Sequence, residues 1–583
     1  MKSLLFFTGL CLISLQAVAQ THIVKGKVTR GEKPVEGVAV YAVESGEGTA
    51  TDENGRYSLQ LKEGTYKLVF SYGNQKSLEV NLDQDKTLNV DLANVEEVLD
   101  EVFLSSVRVT AKSPITYSNL SSEEIEDRNL GQDIPVLMNY MPNVVTTSDA
   151  GAGVGYTGIR VRGSGPTSTN VTINGIPYND AESLGTFWVN LGDFASSVEN
   201  LQLQRGVGTS TNGAGAFGAS INILTDGYSE EANAEIANSY GSFNTHKHTV
   251  KFSSGLIDDH WEFAGRASQI KSDGYIDRAS SDLKSYFLQG TYIDENTLVK
   301  AIIFGGSETT YQAWYGIDAE TLENDRTYNP AGVYTDEAGN TKFYENQTDN
   351  YKQDHYQLLW NQEYNKNWSS NLAFHYTYGR GYYEEYEEDA VLNEFGLENF
   401  QPDGEEVSTS DLVGTKWLDN DFYGTTFGLN YQDADWDVNF GGAWNRYIGD
   451  HFGEVIYTRF ARNNDPYEPY YENVGRKTDF NLYGKATYAI SEKLAGYLDM
   501  QVRTIDYETE GILSEGNEFL VNDSFTFFNP KAGLTYALND KNQFYFSYAR
   551  ANREPRRSDY ENGDPEHEEL NDYELGWRLN TTG

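Results

Sequence analysis

A cluster of glycines has the spacing of a nucleotide-binding turn. Gly213, Gly215 and Gly218 form the pattern G-x-G-x-x-G, which in dinucleotide-binding folds opens an α-helix whose N-terminus holds a pyrophosphate. Here residues 221–224 follow the pattern with the alternation of a β-strand, so the context argues against nucleotide binding. The small residues from 206 to 218 are expected to allow close packing and positive φ angles instead.

Residues that could catalyse a reaction or hold a metal ion form no recognisable constellation. The 8 histidines are scattered, and neither a G-x-S-x-G elbow nor an H-E-x-x-H motif occurs. His246 and His248 would share one strand face, but a metal site needs a third ligand. The acidic stretch from Glu384 to Glu406 fits no EF-hand loop and favours a solvated loop. The sequence therefore predicts no catalytic residue, metal site, cofactor or enzymatic activity.

The N-terminus and the charge limit the compartment and the partners. Residues 1–19 have the charged, apolar and small-residue succession of a secretory signal, with cleavage expected after Ala19. Cys11 is the only cysteine and lies in the apolar part of this signal, so the mature chain is expected to lack disulfides. A formal net charge of -44 argues against nucleic acid as a partner.

The hydropathy of the chain is low, but its pattern suits a membrane β-barrel. The mean hydropathy is -0.59, and no segment after the signal approaches the roughly 20 apolar residues of a membrane helix. A membrane barrel instead alternates lipid-facing and lumen-facing residues and is rich in interfacial aromatics. The chain holds 42 Tyr, 28 Phe and 9 Trp. After Asp226 we count about fourteen alternating strands, such as the one from Trp436 to Trp444.

The connections between these strands alternate in length. Short turns, such as residues 294–296 and 491–493, separate long connections at 311–347, 385–414 and 449–476. Short turns at one end and long loops at the other are typical of outer-membrane barrels.

Residues 20–94 predict a small separate β-sandwich of short strands and Gly-rich turns. Its segments follow one another at 26–28, 34–42, 48–59 and 64–73. In this order they resemble the carboxypeptidase-regulatory-like domain. No ionisable cluster marks a site here, so a spacer role is favoured.

Four motifs follow one another between residues 113 and 226. They are GIRVRG at 158–163, VTINGIPYND at 171–180, FWVNLGDF at 187–194 and a glycine-rich closing motif at 198–225. Their order and spacing resemble the plug domain of TonB-dependent outer-membrane receptors.

Two short helices are expected before these motifs. Residues 121–124 offer a capping box for the first, and residues 132–140 predict a second that stops before Pro142.

The resemblance implies a mainly β fold, in which an α+β plug lies inside a transmembrane antiparallel β-barrel formed by residues 227–583. Barrels of the family have twenty-two strands, so the chain is expected to be a fragment that lacks the C-terminal strands. The implied location is the outer membrane of a Gram-negative bacterium.

The connector at residues 95–112 resembles a TonB box and its surroundings. An extended apolar segment can add as a strand to a partner's sheet edge; the alternative is a further strand of the sandwich. The positions expected to contact TonB are Leu99, Asp100, Glu101, Val102, Val107, Val109, Thr110 and Ala111.

The resemblance also implies a latch between plug and barrel, formed by Arg160, Arg162, Glu199 and Arg205. Guanidinium groups can make bidentate bonds to inward carboxylates of the wall. The alternative is that these side chains only solvate the plug surface.

Ligand is expected to bind at the plug apices and the long loops, where aromatic side chains are plentiful. The candidates are Tyr156, Tyr178, Phe187, Trp188, Trp314, Tyr315, Tyr382 and Tyr383.

The resemblance predicts active transport of a scarce ligand, with TonB, outer-membrane lipid and an extracellular ferric chelate as partners and a surface lipoprotein lid as a further one. A ferric siderophore is the first expectation. Haem, cobalamin or an oligosaccharide, as in SusC-like importers, are alternatives, and so is a surface binding protein without energy coupling.

Overall fold

The computed structural model describes residues 21–30, 33–35, 38–43, 45, 47–52, 54–72, 74–92, 108–110, 112–212, 216–460, 468–539 and 541–579. The expected signal peptide therefore lies outside the described residues. The chain divides into two compact units, Met1–Val98 and Leu99–Gly583. Within the described ranges, no helix has the length and apolarity needed to cross a membrane.

The first unit consists of short strands in two sheets. They are β1 (Thr21–Arg30), β2 (Lys33–Pro34), β3 (Ala39–Ala42), β4 (Gly48–Ala50), β5 (Arg56–Lys62), β6 (Gly64–Tyr72), β7 (Asn74–Leu82), β8 (Lys86–Thr87) and β9 (Val90–Asp91). One sheet has the order β2-β1-β5, with β8 and β9 paired to β1, and the other has the order β4-β3-β6-β7. Both sheets bury alternate residues in one core, where the rings of Tyr57 and Phe70 meet edge to face at 5.3 Å. The expected β-sandwich is confirmed.

The second unit begins with the plug, which we define as residues 113–226. Its elements are β10 (Tyr117–Ser121), α1 (Ser122–Glu126), α2 (Ile134–Leu137), β11 (Val144–Ser148), β12 (Thr157–Val161), β13 (Thr169–Ile173), β14 (Ile176–Pro177), β15 (Val198–Arg205) and β16 (Ala219–Thr225). Short 3-10 turns lie at Pro166–Ser168, Trp188–Leu191, Phe194–Ser197 and Ser210–Asn212. The main sheet has the order β10-β15-β16-β13-β14, and β11 and β12 form a hairpin beside it.

The sequence identified the two plug helices, but one of them is shorter than expected. The capping box of α1 is confirmed, because Ser121 and Glu124 exchange side-chain and backbone hydrogen bonds. The predicted second helix at 132–140 was too long: α2 covers only Ile134–Leu137. The chain turns at Met141 and Asn143, where the latter has a φ of 65°, because Pro142 disfavours helical backbone before it.

The rest of the second unit is a wall of long strands. They are β17 (Asn233–Tyr240), β18 (His246–Ser253), β19 (Trp261–Ser272), β20 (Ser281–Asp294), β21 (Thr297–Tyr311), β22 (Val333–Thr335), β23 (Thr341–Phe343), β24 (Thr348–Asn365), β25 (Trp368–Val391), β26 (Thr409–Gln432), β27 (Trp436–Thr458), β28 (Pro469–Ser491), β29 (Leu494–Gly511), β30 (Val521–Asn539), β31 (Asn542–Arg553) and β32 (Glu568–Leu579). The loop hairpin β22-β23 stands apart, and the others form a 14-stranded antiparallel sheet in chain order. Helices α3 (Ala319–Asn324) and α4 (Arg557–Glu561) lie in connections.

The two faces of the wall carry different side chains, as the alternation predicts. On β27, Trp436, Phe440 and Trp444 are exposed on the outer face, whereas Asn439 and Ala443 are buried on the inner face. Polar residues inside and apolar residues outside are the arrangement of a membrane barrel.

The strands continue further into the long connections than the sequence predicted. The predicted loop at 385–414 is strand at both of its ends, because β25 runs to Val391 and β26 starts at Thr409. The loop predicted at 449–476 is likewise shortened by β27 and β28. Tyrosine and acidic residues there resemble loop composition, but pairing between neighbouring strands satisfies their backbone groups.

Candidate ligand cavity and plug contacts

The apical segment of the plug after β11 is shaped by glycines. Gly151, Gly153 and Gly155 all have positive φ, and a Cβ at Gly155 would lie 2.7 Å from Ser281 Oγ of the wall. Only a residue without a side chain fits there without backbone strain. The segment consequently reaches close to the wall and presents Tyr156.

We expect Gly155→Ala to destabilise this apical segment by about 1–3 kcal/mol, since alanine is strained at positive φ and meets Ser281. Hydrogen exchange of residues 149–157 would measure the loss. Gly165→Ala is a matched control, because its φ is not positive and its nearest neighbour is Arg160 Nη1 at 3.7 Å. Equal exchange in the two variants would contradict this expectation.

A cavity of about 650 Å³ lies where the plug apices face the wall and the loops. It is within the usual size of ligand pockets. Seven of the eight predicted aromatic residues line it, namely Tyr156, Tyr178, Phe187, Trp314, Tyr315, Tyr382 and Tyr383. Trp188 does not, because its side chain is only 2% exposed and packs in the plug core.

The aromatic rings form two groups around the cavity. Trp314 lies edge to face with Tyr156 at 5.2 Å and with Tyr383 at 6.4 Å between ring centroids. The ring of Tyr382 packs on the ring of Trp417, with 4.4 Å between the two centroids. Trp417 was not among the residues predicted from the sequence. Such rings offer rigid apolar contact area with polar edges.

Charged side chains lie between these rings. Tyr156 donates its hydroxyl hydrogen bond to Asp349 of β24. Burial, together with the carboxylates of Glu308 and Asp349, raises the pKa of Tyr156 well above its usual value, so the hydroxyl stays protonated. Two strands further along the wall, on β26, Lys416 pairs with Glu385 at 3.3 Å.

The apical loop between β14 and the 3-10 turn at Trp188–Leu191 is clamped to the wall through Glu182. His451 Nε2 lies 2.8 Å from Glu182 Oε2, and Tyr507 donates to Oε1 at 2.7 Å. Arg557 donates to Oε1 at 3.2 Å and, from its backbone N–H, to the Glu182 carbonyl at 3.0 Å. Gly475 leaves the room for this carboxylate, since a Cβ there would lie 2.2 Å from it.

A second clamp holds the lower plug through Asp193. Lys247 Nζ lies 2.8 Å from its Oδ1, and Arg266 Nη1 lies 3.5 Å from its Oδ2. Thr249 and Ser268 each donate to Oδ2 at 2.6 Å. Burial would raise the pKa of Asp193, but the charges of the two wall cations outweigh it and lower the pKa to about 2. The plug therefore supplies an anion, and the wall supplies the cations.

The four residues predicted as the latch lie in different surroundings. Arg162 forms an ion pair with Glu574 of β32, and its Nη2 donates to Thr116 at 3.3 Å. Arg205 is buried within the plug, where it donates to the Pro142 carbonyl and to Ser118 at 3.0 Å each. Arg160 and Glu199 are exposed.

The connector is described only at residues 108–110 and 112. The backbone N–H of Val109 donates to Gln202 Oε1 of β15 at 3.0 Å, and Gln202 Nε2 donates back to the Val109 carbonyl at 3.2 Å. Arg108 donates to the carbonyls of Asn200 and Asn222, and Thr110 is exposed. The other predicted TonB contacts lie outside the described residues, namely Leu99, Asp100, Glu101, Val102, Val107 and Ala111.

His246 and His248 lie on one face of β18, with their ring centroids 5.5 Å apart. In the part of the chain that the structure describes, no group of three His, Cys, Asp or Glu side chains could hold a metal ion.

The two clamping carboxylates were not predicted from the sequence. Asp193 belongs to the quoted segment FWVNLGDF and has a φ of 50°, but its cationic partners lie more than 50 residues later in the chain. Glu182 is 269 residues from His451. A lone carboxylate within an otherwise apolar plug segment was the available signal for Asp193.

Three protein-family models match consecutive parts of the chain. CarboxypepD_reg-like domain matches residues 24–104, TonB-dependent Receptor Plug Domain matches 109–220, and TonB dependent receptor-like, beta-barrel matches 306–583.

Curated relatives and solved structures match parts of the chain. The probable TonB-dependent siderophore receptor PirA of Acinetobacter baumannii is 26% identical over 156 residues, which are 24% of this chain and 21% of that protein. A TonB-dependent receptor of Formosa agariphila is 28% identical over 191 residues, 30% of this chain and 19% of that protein. The match thus spans about a fifth of each relative. The closed form of the ferric-catecholate import receptor Fiu from Escherichia coli superposes with a TM-score of 0.61 at 14% identity, covering 82% of this chain and 72% of Fiu.

Proposed function

The chain belongs to the TonB-dependent receptor family of the bacterial outer membrane, and on this premise we propose that the complete protein actively imports a ferric siderophore. The family is one of transport receptors and not a known class of enzymes. PirA and Fiu, by their names, take iron chelates, which supports this choice of cargo.

The aromatic cavity is the observation that carries the proposal. It lies on the plug apices, and its volume of about 650 Å³ suits a compact chelate. The apolar core of the plug packs against wall residues such as Phe287 and Phe304. A ligand bound there needs displacement of the plug before it can pass through the barrel.

We further propose that the connector transmits the force of TonB to the plug sheet. Val109 is bonded to Gln202 of β15, and Arg108 reaches carbonyls of β15 and β16. A pull on the preceding segment would therefore act directly on two neighbouring inner strands of that sheet. This proposal includes the predicted TonB contacts between residues 99 and 111. It also includes the latch, in which Arg162 would release Glu574 when the plug moves. The lipoprotein lid stays a prediction.

The test is uptake of a labelled ferric siderophore by cells that carry the full-length protein, with and without residues 98–111. We expect the deletion to abolish uptake while surface binding keeps its affinity, because the cavity is untouched. Val109→Pro, which removes the N–H bonded to Gln202, should impair uptake in the same direction, whereas Thr110→Ala is its matched control at an exposed position.

The outcomes separate the alternatives. Uptake that survives the deletion would contradict energised transport and indicate a passive binding protein. Uptake in neither strain would contradict the siderophore as cargo and turn the assay to haem, cobalamin and oligosaccharides.

A further inference from the structure

An unsatisfied acidic group lies at the cavity. Glu308 of β21 lines the cavity with a residue exposure of only 4%. Neither of its two carboxylate oxygens has a hydrogen-bond partner among the described residues. Burying a carboxylate without a partner is unfavourable, because it loses water and gains nothing in return. A ligand group that donates hydrogen bonds or carries positive charge would satisfy it.

A second carboxylate lies on the adjacent strand. In the pairing of β21 with β24, Glu308 is opposite Tyr351, and Thr310 is opposite Asp349. Glu308 and Asp349 are thus diagonal neighbours on the same inner face. Asp349 receives one hydrogen bond from Tyr156, and a phenol supplies no positive charge. The two acids therefore place two ionisable carboxyl groups side by side at one edge of the cavity.

The remaining charges of the cavity do not neutralise this edge. Its described lining holds four carboxylates against one lysine and no arginine. That lysine, Lys416, is already paired with Glu385 at 3.3 Å. His451 is engaged by Glu182 of the plug. Like charges at short range repel an anionic ligand in a desolvated site.

Aromatic rings lie beside the two acids. Tyr156 contacts Asp349 directly and lies edge to face with Trp314, which in turn lies edge to face with Tyr383. Tyr383 already has Lys416 at 5.5 Å from its ring centroid. The faces of tryptophan and tyrosine attract cations, so rings and carboxylates favour the same sign of ligand charge.

We propose that this edge of the cavity binds a cationic group of the ligand, with Glu308 as its specificity-determining residue. The inference rests on the proposed function and narrows its cargo to a ferric chelate that carries a protonated primary amine, in place of a polyanionic tris-catecholate. The ammonium donates to Glu308 and Asp349 and lies against Trp314. A bare metal ion fits less well, since no group of three ligating side chains exists in the described residues.

The test uses the full-length protein purified in detergent and two ferric trihydroxamate chelates. One bears a free primary amine and the other is its N-acetylated form, so the pair differs mainly in charge. Quenching of tryptophan fluorescence can report binding, because Trp314 and Trp417 line the cavity. We expect the amine to bind at least about tenfold more tightly. The Glu308→Gln variant should lose that difference and keep its affinity for the acetylated chelate, which also shows that it is folded.

Asp354→Asn is the matched control, since Asp354 lies on β24 with its carboxylate bonded to Tyr286 and does not line the cavity. It should preserve the preference for the amine. Equal affinity for the two chelates in the unaltered protein would overturn the inference, and so would an unchanged preference in Glu308→Gln. Tighter binding of a ferric tris-catecholate would overturn it while leaving siderophore uptake in place.

A probe pair without iron separates this inference from the proposed function. Tryptamine and N-acetyltryptamine differ in the same charge and are small enough for the cavity. If neither trihydroxamate chelate nor the ferric tris-catecholate binds, the siderophore proposal fails, and the cation site is judged on this pair alone. A preference for tryptamine that Glu308→Gln abolishes would support the site, and no preference would refute it.

Discussion

Asp193→Asn is expected to weaken the attachment of the plug to the wall by about 3–5 kcal/mol, the usual cost of breaking a buried ion pair from one side. The substitution keeps the shape of the side chain but removes its charge. Lys247 and Arg266, whose side chains are 4% and 1% exposed, would then be buried without the carboxylate that both contact. Hydrogen exchange of the plug strands in the bilayer-embedded full-length protein measures the effect.

Asp226→Asn is the matched control for this experiment. Asp226 also reaches a cation of the wall, Lys251, at 2.7 Å, but the two side chains are 23% and 31% exposed. An ion pair in contact with solvent contributes only about 0–1 kcal/mol. If the two variants changed exchange equally, the buried clamp would not be what holds the lower plug.

The wall was the most predictable part of the molecule. Alternation of side chains along a strand is a local property, so β27 and the short turn at residues 491–493 could be recognised without knowing their neighbours. The ends of the strands were less predictable. Residues 385–391 continue as strand because β26 pairs with them. Their own amino-acid composition does not predict that pairing.

The residues of the candidate site also differ in how well the sequence predicts them. Aromatic residues such as Trp314 and Tyr383 could be chosen from their type and their place in long connections, and the structure brings them to one cavity. Their charged neighbours could not be chosen from the sequence, because Glu308 and Asp349 become neighbours only through the register in which β21 and β24 pair. Arg205 shows the converse limit: its motif suggested a hydrogen-bonded contact with the wall, whereas its hydrogen bonds go to the Pro142 carbonyl and Ser118 of the plug.

Glu182→Gln is expected to release the apical loop that forms part of the cavity, at a cost of about 3 kcal/mol. The glutamine keeps one oxygen acceptor but leaves Arg557 and His451 without the carboxylate that both engage. The exposure of the Glu182 side chain is 3%, so water does not replace the lost partner. Faster hydrogen exchange of residues 178–188, with weaker ligand binding, would be the result.

Asp180→Asn is the control for the loop itself. Asp180 Oδ1 accepts hydrogen bonds from the backbone N–H groups of Glu182 and Ser183, and asparagine can keep that acceptor. The variant should leave the exchange of the loop nearly unchanged. Release of the loop in both variants would show that its internal turn, and not the clamp to the wall, fixes its position.

The clamp also predicts how the loop responds to pH. Burial would raise the pKa of Glu182, but the hydrogen bond and charge of His451, with the charge of Arg557, lower the pKa to about 2. A carboxyl whose pKa is lower in the docked state contributes its stabilisation above the free value of about 4.3 and loses it as the pH falls toward 2. Glu182 itself should therefore stay ionised from about pH 5 to 8, and its carboxylate remains available to Arg557 over that range. Exchange of the loop in the unaltered protein should approach that of Glu182→Gln only under acid conditions, and convergence near neutral pH would contradict the assignment.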